Sequence, residues 1–310
     1  MRCTFKVSII GVGKVGATAA YALLMNGSVT DLVLVAHDVE KASGEKADLE
    51  QSLPFLQNTN IVLTDNYQEI AGSEITIVTA GAAQEPGEDR LSLLQKNLRL
   101  FSEIIPQIKA VNPNGLILVV TNPVDILTFH CYKVAEFRPG QVFGSGTLLD
   151  TARFRKELSK VFHVNPRSIH AYILGEHGDS SFPLLSTANI GGQPLTAFPE
   201  YDETKVMQAY QDSKNAAYKI IQTKGATYYA IATVIDSIVQ TVYKDAKTVL
   251  PVSAPLTDYQ GQSDVSLSVP CIVGANGVEL ALKTQLSQTE IEQFAHSADT
   301  LRQAYASAIN

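Results

Sequence analysis

Five short runs, continuously apolar or nearly so, set the strongest limit on how this chain folds. Phe5–Ile10, Leu32–Val35, Ile61–Leu63, Ile75–Thr79 and Leu116–Val120 are rich in valine, isoleucine and leucine, with few polar residues among them. Strands of that kind are buried on both sides, as in a parallel sheet covered by helices. The segments between them, Lys14–Asn26, Val39–Gln51 and Leu91–Val111, carry helical periodicity, so the pattern reads as successive strand–helix–strand units. One open, doubly wound sheet is expected over residues 1–145.

From residue 146 the character changes. Thr147–Phe162 is a long amphipathic segment, Ser168–Leu174 and Phe182–Ile190 read as strands, and Gly191-Gly192 with Pro194 signal a turn. Helical stretches at Glu203–Thr223 and Ala226–Tyr243 precede alternating strands around Val249–Leu256 and Val265–Val273, and Gly274 and Gly277 break the last of these. Ser287–Ile309 reads as a terminal helix, with Ser287 and Glu290 at the spacing of a capping box. Neither repeats nor a low-complexity linker separate the two parts, so a tight junction is expected.

Composition removes several functional classes. A net charge of −7, with no Lys/Arg cluster against that trend, argues against nucleic acid as a partner. The longest apolar stretches, such as Ile75–Ala83, fall short of the ~18 residues a membrane-spanning helix requires. Arg2 and Lys6 beside an apolar run have a superficial likeness to a signal peptide. That run ends in a glycine motif without a cleavage-type sequence and is read as a buried strand. Cys3, Cys131 and Cys271 are far apart and lack CxxC spacing, which points to neither a disulfide framework nor a metal site and fits a cytoplasmic protein.

The first apolar run leads directly into Gly11-Val12-Gly13-Lys14-Val15-Gly16, which opens an alanine-rich helix. The first glycine permits a tight turn, the second lets main chain approach a pyrophosphate, and the third lets helix and strand pack closely. The helix N-terminus then faces the phosphates. A GxGxxG alone also occurs in plain turns; the strand before it and the helix after it favour a dinucleotide. The expected architecture is an α/β, doubly wound parallel Rossmann sheet over residues 1–145, followed by an α+β substrate domain over residues 146–310.

Such sheets carry an acidic residue ~20 positions beyond the glycines, where it accepts hydrogen bonds from the adenosine ribose. Here that place falls on Ala36, followed by His37 and Asp38. Asp38 either supplies the carboxylate from two residues later or caps the helix beginning at Val39. With no Arg or Lys at 36–38 to pair a 2′-phosphate, NAD is the expected cofactor; NADP stays open because Ala36 replaces the acid.

Leu174-Gly175-Glu176-His177-Gly178-Asp179 places a histidine among glycines after a strand. Asp150 and Arg153 are i and i+3 on one helix and project from one face. A carboxylate can hold an imidazole in one tautomer, and a neighbouring guanidinium can grip a substrate carboxylate bidentately. A solvated loop histidine and an ordinary surface ion pair satisfy the same spacing.

Taken together, Gly11–Gly16, Ala83-Gln84-Glu85-Pro86-Gly87-Glu88-Asp89-Arg90, Thr121-Asn122-Pro123-Val124-Asp125, Leu149-Asp150-Thr151-Ala152-Arg153-Phe154-Arg155 and Gly175–Asp179 resemble the lactate/malate dehydrogenase family along essentially the whole chain. The resemblance is to its bacterial L-lactate dehydrogenases of the fructose 1,6-bisphosphate-activated type. It implies His177 as acid/base oriented by Asp150, Arg153 as the substrate-carboxylate ligand, and Arg90 on a mobile loop that polarises the substrate carbonyl. It adds Asn122 and Thr227 to the substrate pocket, and Gly11, Gly13, Val15, Gly16, Asp38, Gly81, Ala82 and Asn122 to the cofactor site. Gln84 stands where malate-specific members carry Arg, which implies pyruvate and L-lactate rather than a substrate with a second carboxylate. Glu85 beside it, where many relatives have Lys, makes a second anion still less welcome.

Arg155 points about 200° around the helix from Arg153 and cannot serve the same substrate. The resemblance implies that it binds fructose 1,6-bisphosphate with His170 between subunits of a homotetramer; a solvated arginine and an exposed strand histidine are the plainer alternative. Competing functions are malate dehydrogenase, a branched 2-oxo acid reductase of the same fold, and a non-catalytic nucleotide sensor.

Overall fold

The computed structural model describes residues 4–82 and 89–309. Six strands form the parallel part of its main sheet: β1 (Lys6–Ile10), β2 (Asp31–Val35), β3 (Asn60–Thr64), β4 (Ile75–Val78), β5 (Leu116–Val119) and β6 (Val142–Gly144). Their spatial order is β3-β2-β1-β4-β5-β6. The order reverses between β1 and β4, and ligands of such sheets bind outside the carboxyl ends of the strands at that point. Val7, Ile9, Leu32, Leu34, Ile75 and Ile77 are wholly buried, as continuous apolar strands require. Helices α1 (Lys14–Asn26), α2 (Val39–Ser52) and α3 (Arg90–Val111) make three of the crossovers.

Helix α4 (Val124–Val134) has no counterpart in the sequence reading. Every residue from Val124 to Cys131 is buried, so the amphipathic stripe that announces a helix is missing. β6 is likewise too short to stand out.

The second half begins with α5 (Leu148–Phe162), which packs with α6 (Glu203–Lys224) against a small antiparallel sheet of β7 (Ile169–Leu174), β8 (Phe182–Ile190) and β9 (Gln193–Pro194). Phe154, Leu158, Ile169, Ala171, Ile173 and Val206 form its own core. The β8–β9 hairpin turns at Gly191 and Gly192, whose φ values of +58° and +82° suit a tight two-residue hairpin turn and favour glycine.

The remaining strands, β10 (Thr248–Leu256), β11 (Val265–Gly274) and β12 (Gly277–Ala281), extend the main sheet instead of forming another. β10 meets β6 antiparallel at Ser253 and Gly144, so one sheet of nine strands runs through both parts of the chain. The alternation read in this region does not mark a solvent-facing side. Ser253, Ser266 and Ser268 are all fully buried, packed among the helices that cover the sheet.

Helix α7 (Tyr229–Tyr243) packs on α1, and α8 (Gln288–Ile309) crosses α3. No helix among the described residues is long and apolar enough to cross a membrane.

At the start of α8 the Ser287 amide donates to Glu290 Oε2 (2.8 Å) and the Glu290 amide to Ser287 Oγ (3.3 Å). Glu290 Oε1 also accepts from the amides of Leu185 and Ser186 in β8, at 2.9 and 3.0 Å. One buried carboxylate thus ties the terminal helix to the small sheet. Its burial opposes ionisation, but the hydrogen bonds with Ser186 and Ser287 outweigh that and hold its pKa below the ordinary value. Glu290→Ala is expected to lower stability by about 2–4 kcal/mol, as a lost cap plus lost charged hydrogen bonds, measured by denaturant unfolding. The wild-type advantage is present above the pKa of a free glutamate and disappears as pH falls through the depressed one.

Candidate active site

The glycine turn sits at the carboxyl end of β1. Gly11 has φ +100°, and a Cβ there would lie 2.6 Å from the Ala80 amide nitrogen. A Cβ on Gly16 would lie 2.0 Å from the Gly11 carbonyl oxygen, so no larger residue fits. Gly13 faces open space and is the N-cap of α1 without a side-chain cap, leaving main-chain donors of the first turn available. This cradle fits a pyrophosphate.

Beside it opens a cavity of about 740 Å³ whose wall includes Val15, Gly81, Ala82, Asn122, Asp150, Arg153, His177 and Thr227. The loops after β4 and β5 are joined by Asn97, a buried residue of α3. Its Oδ1 accepts from the Ala82 amide (2.7 Å) and its Nδ2 donates to the Asn122 carbonyl (3.2 Å). Sequence reasoning missed Asn97, although a lone asparagine on the apolar face of Leu94, Leu98 and Phe101 was a readable signal.

Ala36 is buried at the end of β2, its amide bound to the Thr64 carbonyl at 2.9 Å. Asp38 caps α2, its Oδ1 accepting from the Lys41 amide at 2.9 Å. It is not part of the cavity wall.

The catalytic candidates come together through several tight attachments. Thr147, the N-cap of α5, donates its amide to Ser268 Oγ (3.0 Å) and its hydroxyl to the Ile173 carbonyl (2.5 Å). Thr151 Oγ1 accepts from the Ile173 amide at 2.9 Å. Gly175 in turn exchanges main-chain bonds with Ser268, at 3.1 and 2.9 Å. The first turn of α5 and the loop after β7 are thereby held to one buried serine of β11, none of which the spacing of motifs foretold.

This places His177 Nδ1 2.5 Å from Asp150 Oδ2, while Asp150 Oδ1 accepts from Arg153 Nη1 at 3.1 Å. Burial of the His177 ring lowers its pKa, but the Asp150 charge and hydrogen bond, aided by Asp125, prevail and raise it. Burial likewise opposes ionisation of Asp150, and the charges and hydrogen bonds of His177 and Arg153 hold its pKa low. The imidazole is therefore oriented, readily protonated, and left with Nε2 for a ligand, next to a guanidinium suited to a carboxylate.

The other candidates are less central in this conformation. Arg90 opens α3 with its side chain largely exposed and Nη1 3.7 Å from Asp179 Oδ2, too far apart and too solvated to hold firmly. Thr227 lies in the non-helical step between Gly225, which ends α6 at φ +83°, and Tyr229. Gln84 and Glu85 lie outside the described residues. Arg155 turns away from the cavity: its Nε donates to the Ala171 carbonyl at 2.8 Å and its guanidinium lies 4.8 Å from the Tyr172 ring centre. His170 is exposed on the same strand.

A glycine cradle fit for a dinucleotide, adjoining an aspartate-held histidine and an arginine suited to a carboxylate, is equipment with which hydride and a proton can be added to the carbonyl of a 2-oxo acid. The sequence profile of the lactate/malate dehydrogenase NAD-binding domain matches residues 5–144, and that of the α/β C-terminal domain of the same family matches residues 147–310. An L-lactate dehydrogenase of Clostridium botulinum is 44% identical over 306 residues, covering 97% of this chain and 96% of its own. One from Thermoanaerobacterium saccharolyticum is 45% identical over 304 residues, 96% of each chain. Among solved structures, a lactate dehydrogenase from a Medee basin deep-sea metagenome library superposes with a TM-score of 0.94 at 34% identity over 99% of both chains. The minor L-lactate dehydrogenase of Enterococcus mundtii gives 0.93 at 36% identity over 98% of both. From the glycine cradle to the terminal helix, this chain is a member of the lactate/malate dehydrogenase family.

Proposed function

We propose that the chain is an NAD-dependent L-lactate dehydrogenase that interconverts pyruvate and L-lactate, with residues 1–145 binding the dinucleotide and residues 146–310 supplying the chemistry. The observation that carries this is the run Arg153–Asp150–His177 in the wall of the cavity beside the glycine cradle. NADH, when bound, supplies the hydride. Arg153 holds the pyruvate carboxylate and Asn122 adds a hydrogen bond. His177 donates the proton from Nε2 to the carbonyl oxygen, and Asp150 steadies the imidazolium before transfer. Arg90, moving inward from its exposed position, stabilises charge growing on that oxygen, and water exclusion strengthens both interactions. Thr227 and Gln84 shape a neutral space for the methyl group.

The preference for NAD rests on the lack of a cation at 36–38, with Asp38 the nearest carboxylate in sequence to the place of the missing acid; among the described residues its Oδ2 stays free for a ribose hydroxyl while Oδ1 caps the helix. Ala36 weakens the discrimination against NADP. The assembly we propose is a cytoplasmic homotetramer activated by fructose 1,6-bisphosphate at Arg155 and His170. The anchoring of Arg155 on β7, beside the exposed His170, supports a shared anion site there.

NADH absorbance with pyruvate tests the core of this. His177→Asn is expected to lower kcat by ~10²-fold or more while NADH binding persists. In the wild type, pyruvate reduction should fall as pH rises through the raised histidine pKa, and lactate oxidation should gain over the same range. Gln84→Arg is expected to raise kcat/KM for oxaloacetate and lower it for pyruvate, by ~10²-fold in preference; an unmoved preference removes residue 84 from the pocket. Fructose 1,6-bisphosphate should lower the apparent KM for pyruvate, and replacing Arg155 or His170 should abolish that response. Kinetics indifferent to saturating effector from acidic to neutral pH would refute the allosteric part.

A further inference from the structure

Asp125 closes the motif Thr121–Asp125, yet the mechanism above gives it no part. It lies in the first turn of α4 with 2% of its surface exposed, and its Oδ2 accepts a hydrogen bond from the main-chain amide of His177 at 2.6 Å. The bond spans 52 positions in sequence and runs from the nucleotide-binding half to the loop that carries the acid/base residue. Its Oδ1 has no hydrogen-bond partner among the described residues, nor have the buried hydroxyls of Ser253 and Ser266. Ser253 lies near enough to favour the ionised carboxyl but short of hydrogen-bonding geometry.

No ion pair to Asp125 occurs among the described residues. Asp264, Arg302 and Tyr305 line the small cavity beside it. The Arg302 guanidinium is occupied by Asp299, Gln262 and the Ser263 carbonyl. On the other side stand His177 itself and Glu176, and beyond the imidazole Asp150 and Arg153. A carboxyl in such a place is costly, and packing alone would be served better by an apolar residue.

We propose that Asp125 is a positioning residue of the active site, fixing the main chain of His177 from the nucleotide-binding half and setting a second, buried carboxyl group against the histidine. Asp150 holds the ring and Asp125 holds the backbone, so the imidazole is located from both halves of the molecule at once. Burial raises the Asp125 pKa to about 6, so the group is charged over the neutral range and favours the protonated imidazole. This inference rests on His177 being the acid/base group.

Asparagine at 125 separates the two effects. Its carbonyl still accepts from the His177 amide, and its NH₂ can donate to Ser253 and Ser266, so position is kept while charge is lost. Alanine loses both. For Asp125→Asn the kcat/KM profile for pyruvate reduction should move to lower pH by roughly half a unit to one unit, with kcat at the acidic plateau within about threefold of wild type. Asp125→Ala should lose about tenfold or more in kcat, since a displaced proton donor loses alignment, while NADH binding followed by fluorescence stays unchanged. His177→Asn is measured alongside. If that variant turns over normally, the underlying assignment of His177 falls. If it is inactive but Asp125→Asn keeps the wild-type pH profile, the Asp125 proposal alone is overturned, and an Asp125→Ala enzyme with full kcat overturns it equally.

Discussion

The contact of 2.5 Å between His177 and Asp150 is the interaction that the rest of the site requires. An imidazole on a glycine-flanked loop has many orientations open to it. Bonding Nδ1 to a carboxylate selects one tautomer and favours the charged ring. The carboxylate is itself expensive to bury, and Arg153 on the other oxygen offsets that cost. The three groups are therefore interdependent: removing any one leaves a partly buried charge without its partner.

Such a network is affordable only on a rigid support. Thr147, Thr151, Ser268 and Gly175 bind α5 and the loop after β7 together with buried hydrogen bonds of 2.5 to 3.1 Å. Ser268 belongs to β11, which is part of the same sheet as the nucleotide-binding strands. His177 and the glycine cradle are consequently referenced to one continuous framework rather than to two bodies joined by a hinge. Arg90, by contrast, is exposed at the beginning of α3, held only by a loose pairing with Asp179.

The nucleotide side shows a different economy. Gly11 and Gly16 admit the close approach that a side chain would block, and Asn97 holds the two neighbouring loops. Where related sheets place a carboxylate at the end of the second strand, this chain has a buried alanine, and the acid two residues on is a helix cap. A cap binds through one oxygen only, so the two roles proposed for Asp38 do not compete for the same atom.

The parallel strands, the crossover helices and the glycine cradle were legible in the amino-acid sequence, because continuous apolar runs, helical periodicity and glycine spacing are local properties of the chain. So was the Asp150–Arg153 face, which helix geometry alone defines. What escaped had non-local causes. α4 is buried through most of its length and shows no stripe; buried serines in β10 and β11 imitate a wetted face; and the capping role of Asp38 is fixed by its backbone conformation and its bond from Lys41. The sequence by itself determined which residue types were at hand for cofactor, proton and carboxylate. Only the tertiary structure decided that Asp150, Asp125 and Ser268 converge on one loop, since such contacts depend on packing between segments more than 50 positions apart in several cases, where no local periodicity carries a record of them.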